Sequence, residues 1–119
     1  MVTASCHCGA VRFEIAAAPS AVTDCNCTMC RRLGTLWAYY HPNEVTLLAA
    51  PGATVPYVQG DKTLAVHHCA QCGCTTHWQG LDAKQDRMAV NARLMEPEIL
   101  AAARIRKLDG FATWTYLDE

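Results

Sequence analysis

The chain has 119 residues and a hydrophobic fraction of 51%, enough for one domain with its own core, which we expect to span residues 1–119. Ten basic and eleven acidic side chains give a formal net charge of −1. Because no basic tract extends beyond Arg31 and Arg32, this balance argues against a nucleic-acid-binding protein.

The N-terminal residues, Met1 to Cys6, lack both a basic segment and an apolar segment of the kind that forms a signal peptide. No stretch of the sequence approaches the roughly 18 apolar residues that a membrane span needs. We therefore expect a cytoplasmic protein with no membrane partner. Since thiols stay reduced in that compartment, eight cysteines at short spacings favour metal binding over disulfides.

The first half of the sequence has the pattern of short strands. Apolar residues that alternate with polar ones predict a strand over residues 11–15, directly after Cys6 and Cys8. An aromatic run predicts a second strand over residues 35–41. A Pro-Asn turn signal follows it, so we expect a hairpin with a third strand over residues 44–48.

The second half is also read mainly as strand. β-Branched and alternating segments predict strands over residues 55–59, 64–68, 75–79, 87–92 and 113–117. One helix is predicted over residues 96–106, because Pro97 suits a first helical turn and three alanines follow. The expected fold class is mostly β: a small, largely antiparallel fold with zinc knuckles and one short C-terminal helix.

Four of the cysteines form two knuckles that are far apart in sequence. These are Cys6 with Cys8, and Cys69 with Cys72. Brought together, they would make a closed tetrahedral four-thiolate zinc site. We interpret this as a structural zinc, whose binding free energy contributes directly to folding.

Cys25, Cys27 and Cys30 place three thiols within six residues. Three protein ligands leave the fourth zinc position for water or substrate, which is typical of a catalytic site. Cys74 is left unassigned, and two other interpretations stay open. If Cys74 completes this site, the domain is a structural module with two zincs. The Cys-x-x-Cys units could also be redox dithiols, although the expected βαβ context is missing.

Three segments together resemble one family. Residues 5–12, 25–32 and 68–73 carry cysteine signatures in the order found in the glutathione-dependent formaldehyde-activating family, which includes centromere protein V. The resemblance implies an Mss4-like β fold with two zinc ions. It assigns a structural zinc to Cys6, Cys8, Cys69 and Cys72, and a catalytic zinc to Cys25, Cys27 and Cys30.

The activity implied by the resemblance is the addition of glutathione to formaldehyde, which gives S-(hydroxymethyl)glutathione and is classed as a carbon–sulfur lyase reaction in reverse. The expected partners are a small thiol, glutathione or a related one, and an aldehyde. A zinc with an open position can deprotonate a thiol and orient it as a nucleophile. The alternative function is a non-enzymatic interaction module with two zincs.

Several side chains are candidates for contact with such substrates. Arg31 or Arg32 could bind a glutathione carboxylate or offset the charge of the three-thiolate zinc. Four histidines are candidates for proton transfer, although none has a diagnostic spacing: His41, His67, His68 and His77. The aromatic residues Trp37, Tyr39 and Tyr40 are expected in the core or in a pocket wall.

Overall fold

A computed structural model describes residues 1–82 and 84–117 of the chain. In this part of the protein, ten strands form two sheets. The strands are β1 (Val2–Ser5), β2 (Arg12–Ile15), β3 (Ala21–Cys25), β4 (Trp37–Tyr40), β5 (Val45–Leu48), β6 (Thr54–Val58), β7 (Leu64–Cys69), β8 (Thr75–Gly80), β9 (Met88–Asn91) and β10 (Arg104–Leu108). Helices α1 (Cys30–Leu33) and α2 (Pro97–Ala102) are short, as are 3-10 turns at Pro42–Glu44 and Ala92–Leu94.

The two sheets differ in size and in strand order. The smaller sheet has the order β1-β2-β5, and the larger has the order β10-β3-β4-β9-β8-β7-β6. Neighbouring strands are antiparallel, except that β10 runs parallel to β3. The predicted fold class, mostly β with a short helix near the C-terminus, is confirmed. Neither helix in the described residues has the length and apolar character needed to cross a bilayer.

Side chains alternate between the two faces of the larger sheet, as the pleat of a strand requires. On β4, Ala38 and Tyr40 belong to the main core, whereas Trp37 and Tyr39 pack in a second cluster. Neighbouring β9 repeats the pattern, because Val90 belongs to the main core and Ala89 to the second cluster. The larger sheet is therefore packed on both faces.

The main core lies where β2 of the smaller sheet meets the larger one. Phe13 on β2 is 1% exposed, and its ring meets the His77 ring on β8 edge to face at 5.3 Å between centroids. His77 in turn stacks on His67 at 4.5 Å. Burial, together with the nearby His67, lowers the pKa of His77 to about 4, so the ring is neutral at neutral pH. These contacts join the two sheets through uncharged rings.

The predicted hairpin between residues 35–41 and 44–48 is wrong. Both strands exist, but β4 lies in the larger sheet while β5 pairs with β2 in the smaller one. The reason is a 3-10 turn at Pro42–Glu44, capped by His41, whose Nδ1 accepts a hydrogen bond from the Asn43 N–H at 3.1 Å. This turn carries the chain from one sheet to the other.

The C-terminal third also departs from the sequence prediction. The helix expected over residues 96–106 stops at Ala102, and Arg104–Leu108 is a strand that pairs with β3. The strand expected over residues 113–117 is wrong, since that segment turns and makes only a single bridge, between Tyr116 and Leu108. Strands β1 and β3 were not predicted.

The Phe13 contact generates a stability prediction. Phe13→Ala should destabilise the protein by about 3–5 kcal/mol, because a buried ring is lost between the sheets and leaves a cavity. Leu48→Ala is the matched control on the neighbouring strand β5; since Leu48 is 37% exposed, its replacement should cost less than about 1 kcal/mol. Urea unfolding followed by circular dichroism measures both, and equal losses would contradict this account of the core.

Candidate metal centres and their cavity

The first cysteine cluster joins two turns that belong to different sheets. Cys6 and Cys8 lie between β1 and β2, whereas Cys69 ends β7 and Cys72 lies in the turn that follows. The four sulfurs all lie within 4.8 Å of one another. Cys6 Sγ is 3.7 Å from Cys8 Sγ, which is 3.6 Å from Cys69 Sγ, too far for disulfide bonds. This is the grouping of four that the sequence predicted.

Backbone N–H groups of the two turns point at these sulfurs. Val11 N–H donates to Cys6 Sγ at 3.3 Å, and Cys72 N–H donates to Cys69 Sγ at 3.4 Å. Backbone donors, from Cys74 and Cys8, also lower the pKa of Cys72 to about 5. Such donors stabilise thiolates, which are the form that binds a metal. The backbone donors of the second turn therefore favour the thiolate forms of Cys69 and Cys72.

The second cluster holds Cys25, Cys27 and Cys30, whose sulfurs also lie within 4.8 Å of one another. Cys25 ends β3 and Cys30 begins α1. Cys30 N–H donates to Cys27 Sγ and the Trp37 indole N–H donates to Cys30 Sγ, both at 3.3 Å. Burial raises the pKa of the Cys30 thiol to about 12. A bound cation would have to supply the charge that lets this thiol ionise.

Cys74 does not join the second cluster. Its carbonyl accepts a hydrogen bond from Cys69 N–H at 2.9 Å, and its side chain packs against the core that contains Cys6 and Cys69. Among residues 1–82 and 84–117, no fourth cysteine, histidine or acidic side chain completes the group of Cys25, Cys27 and Cys30. The structure thus gives no support to the interpretation in which Cys74 closes this site.

The three-thiol cluster opens into a cavity of about 790 Å³ on the face of the larger sheet that points away from the smaller sheet. This volume lies within the range of small-molecule sites. Its walls include six aromatic side chains: Trp37, Tyr39, Tyr57, Trp78, Phe111 and Trp114. Three of these, Tyr57, Phe111 and Trp114, are 54%, 68% and 67% exposed. They give the cavity an apolar mouth that is accessible to a ligand.

The segment after β10 covers one side of the three-thiol cluster. Asn26 Nδ2 donates to Asp109 Oδ1 at 3.1 Å, and Phe111 N–H donates to Asn26 Oδ1 at 2.9 Å. At Gly110 a Cβ atom would lie 2.6 Å from Cys25 Sγ. Only glycine lets the backbone approach the sulfur this closely.

The two arginines singled out from the sequence lie outside the cavity lining. Arg31 and Arg32 are exposed, and Arg32 donates to the carbonyl of Thr28 at 2.8 Å. Their expected contact with substrate stays a prediction. Within the described lining the cationic side chain is instead Arg87, which sequence reasoning missed. No spacing in the sequence could have related Arg87 to the cysteines, because their proximity depends on the sheet order.

None of the four candidate histidines lies in the described lining of the cavity. His41 caps a surface turn, and His77 is buried on the opposite face of the sheet. We therefore assign proton transfer to none of them. Of the three aromatic residues, Trp37 and Tyr39 line the cavity and Tyr40 lies in the core, as predicted.

Comparison with known proteins agrees with this geometry. A solved structure, a crystal structure of a Rhodobacter sphaeroides protein, is similar to this chain with a TM-score of 0.70 and 25% sequence identity. The match covers 87% of this chain and 98% of that one. The family model described as glutathione-dependent formaldehyde-activating enzyme matches residues 1–107. The chain therefore belongs to the glutathione-dependent formaldehyde-activating enzyme family.

Proposed function

We propose that this protein is a zinc-dependent enzyme that adds glutathione, or a related thiol, to formaldehyde or a related aldehyde. In reverse, the reaction is that of a carbon–sulfur lyase. The observation that carries the proposal is a cluster of three thiols that opens into a cavity with no fourth protein ligand among the described residues. A closed structural site would have no use for such a cavity.

Zinc fits the donor sets of both clusters. Sulfurs that bind one zinc tetrahedrally at about 2.3 Å lie about 3.8 Å apart. The distances of 3.7 and 3.6 Å in the first cluster agree with that spacing. We assign the structural zinc to the four thiols, which join the two sheets, and the catalytic zinc to Cys25, Cys27 and Cys30.

The reaction needs a thiol nucleophile beside a bound aldehyde. Zinc held by the three thiolates would supply Lewis acidity that lowers the pKa of a substrate thiol. In the addition, the thiol loses its S–H proton, the sulfur forms a bond to the carbonyl carbon, the C=O π electrons move to oxygen, and the oxygen takes up a proton, so no net proton is gained or lost. The indole N–H of Trp37 fixes the position of Cys30 Sγ, and the aromatic walls offer apolar surface beside the cluster.

The reactants also suit a reducing compartment, so we place the protein in the cytoplasm. Arg31 and Arg32 follow the last ligand of the second cluster directly and are exposed. We keep the hypothesis that one of them contacts an anionic substrate from outside the cavity. Single replacement of each by glutamine, with glutathione affinity as the measurement, tests that hypothesis.

Ligand substitutions should separate the two zincs. Cys72→Ser should lower the thermal midpoint by roughly 10 °C or more, because it removes a ligand from the site that joins the sheets. Cys27→Ser should leave the domain folded but reduce the zinc content from about two ions per chain to about one. Thermal melts by circular dichroism and elemental analysis of the purified variants measure both effects.

Cys74→Ser is the matched control for both variants, since Cys74 belongs to neither group of thiols. It should keep both zincs and a midpoint close to that of the wild type. If Cys27→Ser unfolds the protein as severely as Cys72→Ser, the second zinc is structural and the enzyme proposal loses its physical basis.

Gly110→Ala should selectively disturb the second site. The added methyl group would lie 2.6 Å from Cys25 Sγ, and rotating that sulfur away would remove it from the cluster. We expect zinc content to fall toward about one ion per chain with the fold retained. Gly52→Ala is the control for a glycine replacement away from the cluster: Gly52, unlike Gly110, has a positive φ, so the substitution strains the backbone, but its Cβ position has open space around it and both zincs should stay. Retention of both zincs in Gly110→Ala would contradict this role of the C-terminal segment.

Thiol binding tests the proposed function itself. Glutathione should bind more tightly than its desulfurised analogue γ-glutamyl-alanyl-glycine, because thiolate is a good zinc ligand. Its affinity should rise with pH toward the free-thiol pKa of about 8.5, since the thiol loses its proton on binding. Titration calorimetry of the zinc-loaded protein at several pH values measures this. Equal affinities for the two peptides would show that sulfur does not reach the metal.

A further inference from the structure

Arg87 is the cationic side chain in the described lining of the cavity. It lies just before β9, while the three thiols lie on and after β3, so the cavity brings together distant parts of the chain. In the part of the chain that the structure describes, no carboxylate forms an ion pair with its guanidinium. The acidic residue of the lining, Asp61, instead accepts a hydrogen bond from Thr63 within its own turn at 3.0 Å.

The Arg87 side chain is held in place although it is exposed. Its guanidinium carbon lies 3.9 Å from the centroid of the Tyr39 ring, and that ring meets Trp78 edge to face at 6.2 Å. Stacking on an aromatic face restricts a guanidinium but leaves its N–H edge free. Arg87 therefore offers the planar fork of donors that binds a carboxylate through two hydrogen bonds.

The proposed catalytic centre is negatively charged, and the positive charge of Arg87 can offset it. Zinc with three thiolates has a formal charge of −1, from +2 and three charges of −1. This centre would repel a thiol substrate that carries carboxylates. The aromatic walls carry no charge that would offset this repulsion. A fixed cation in the same cavity offsets the repulsion and can select among thiols.

We propose that Arg87 binds a carboxylate of the thiol substrate and sets the preference of the site for acidic over neutral thiols. The aromatic walls contact the rest of the substrate, and the stacked Tyr39 ring orients the guanidinium. This inference rests on the proposed function for the nature of the substrate, but it can be tested without the sulfur.

The experiment compares peptides with free and esterified carboxylates on the zinc-loaded protein. The probes are glutathione, γ-glutamyl-alanyl-glycine, and the diethyl ester of each. Affinities are measured by titration calorimetry at fixed pH and ionic strength. The variants are Arg87→Gln and Arg87→Lys. Arg12→Gln is the control, because Arg12 is an exposed arginine on β2 outside the cavity lining.

Wild-type protein should prefer each free peptide over its diester. Arg87→Gln should weaken binding of the free peptides about tenfold and change binding of the diesters by less than about twofold, because only the carboxylate contact is lost. Arg87→Lys should recover part of the preference, since lysine keeps the charge but not the planar fork. Arg12→Gln should keep the wild-type preference.

An unchanged preference in Arg87→Gln would overturn the inference, as would a preference lost instead in Arg31→Gln or Arg32→Gln. Thermal melts of each variant show that the comparison is made on folded protein. Failure of the proposed function has a different signature, namely that glutathione and γ-glutamyl-alanyl-glycine bind equally well. The effect of Arg87 on the two desulfurised peptides is measurable even then.

Discussion

The junction of two hairpin ends at the four-thiol cluster is the constraint on which the rest of the structure depends. One end, with Cys6 and Cys8, belongs to the three-stranded sheet, and the other, with Cys69 and Cys72, belongs to the seven-stranded sheet. An ion shared by these four sulfurs would fix the two sheets at this edge, because the sulfurs could not separate without losing it. The core between the sheets, around Phe13, lies beside this cluster and is closed by burial, and a bound ion would add a chemical link.

The seven-stranded sheet also explains how the second cluster is positioned. Its inner face packs against the smaller sheet, so its outer face is free to support the three thiols and the cavity. Trp37 shows the connection most directly, because it lies on a central strand and donates its indole N–H to Cys30 Sγ. The three-thiol cluster is thus supported by a side chain of the sheet as well as by its own loop.

Local patterns were sufficient to predict the cysteine groups and most strands, since ligand spacing and alternation are properties of neighbouring residues. The errors arose where tertiary pairing decided the outcome. Arg104–Leu108 follows a run of alanines and was read as helix, yet it becomes an edge strand because β3 offers an open edge for parallel pairing. The place of Arg87 in the cavity depends in the same way on sheet order, which no local pattern contains.

Successive side chains on β4 face alternately the main core and the cavity, so one strand serves both. A substitution at Tyr39 alters the shape of the cavity, while its neighbours Ala38 and Tyr40 continue to pack in the core. The cavity wall can therefore be changed at Tyr39 without changing the main core, because the positions that face the cavity are interleaved along the strand with those that face the core. A single strand can in this way keep one face for packing while its other face sets the shape of a ligand cavity.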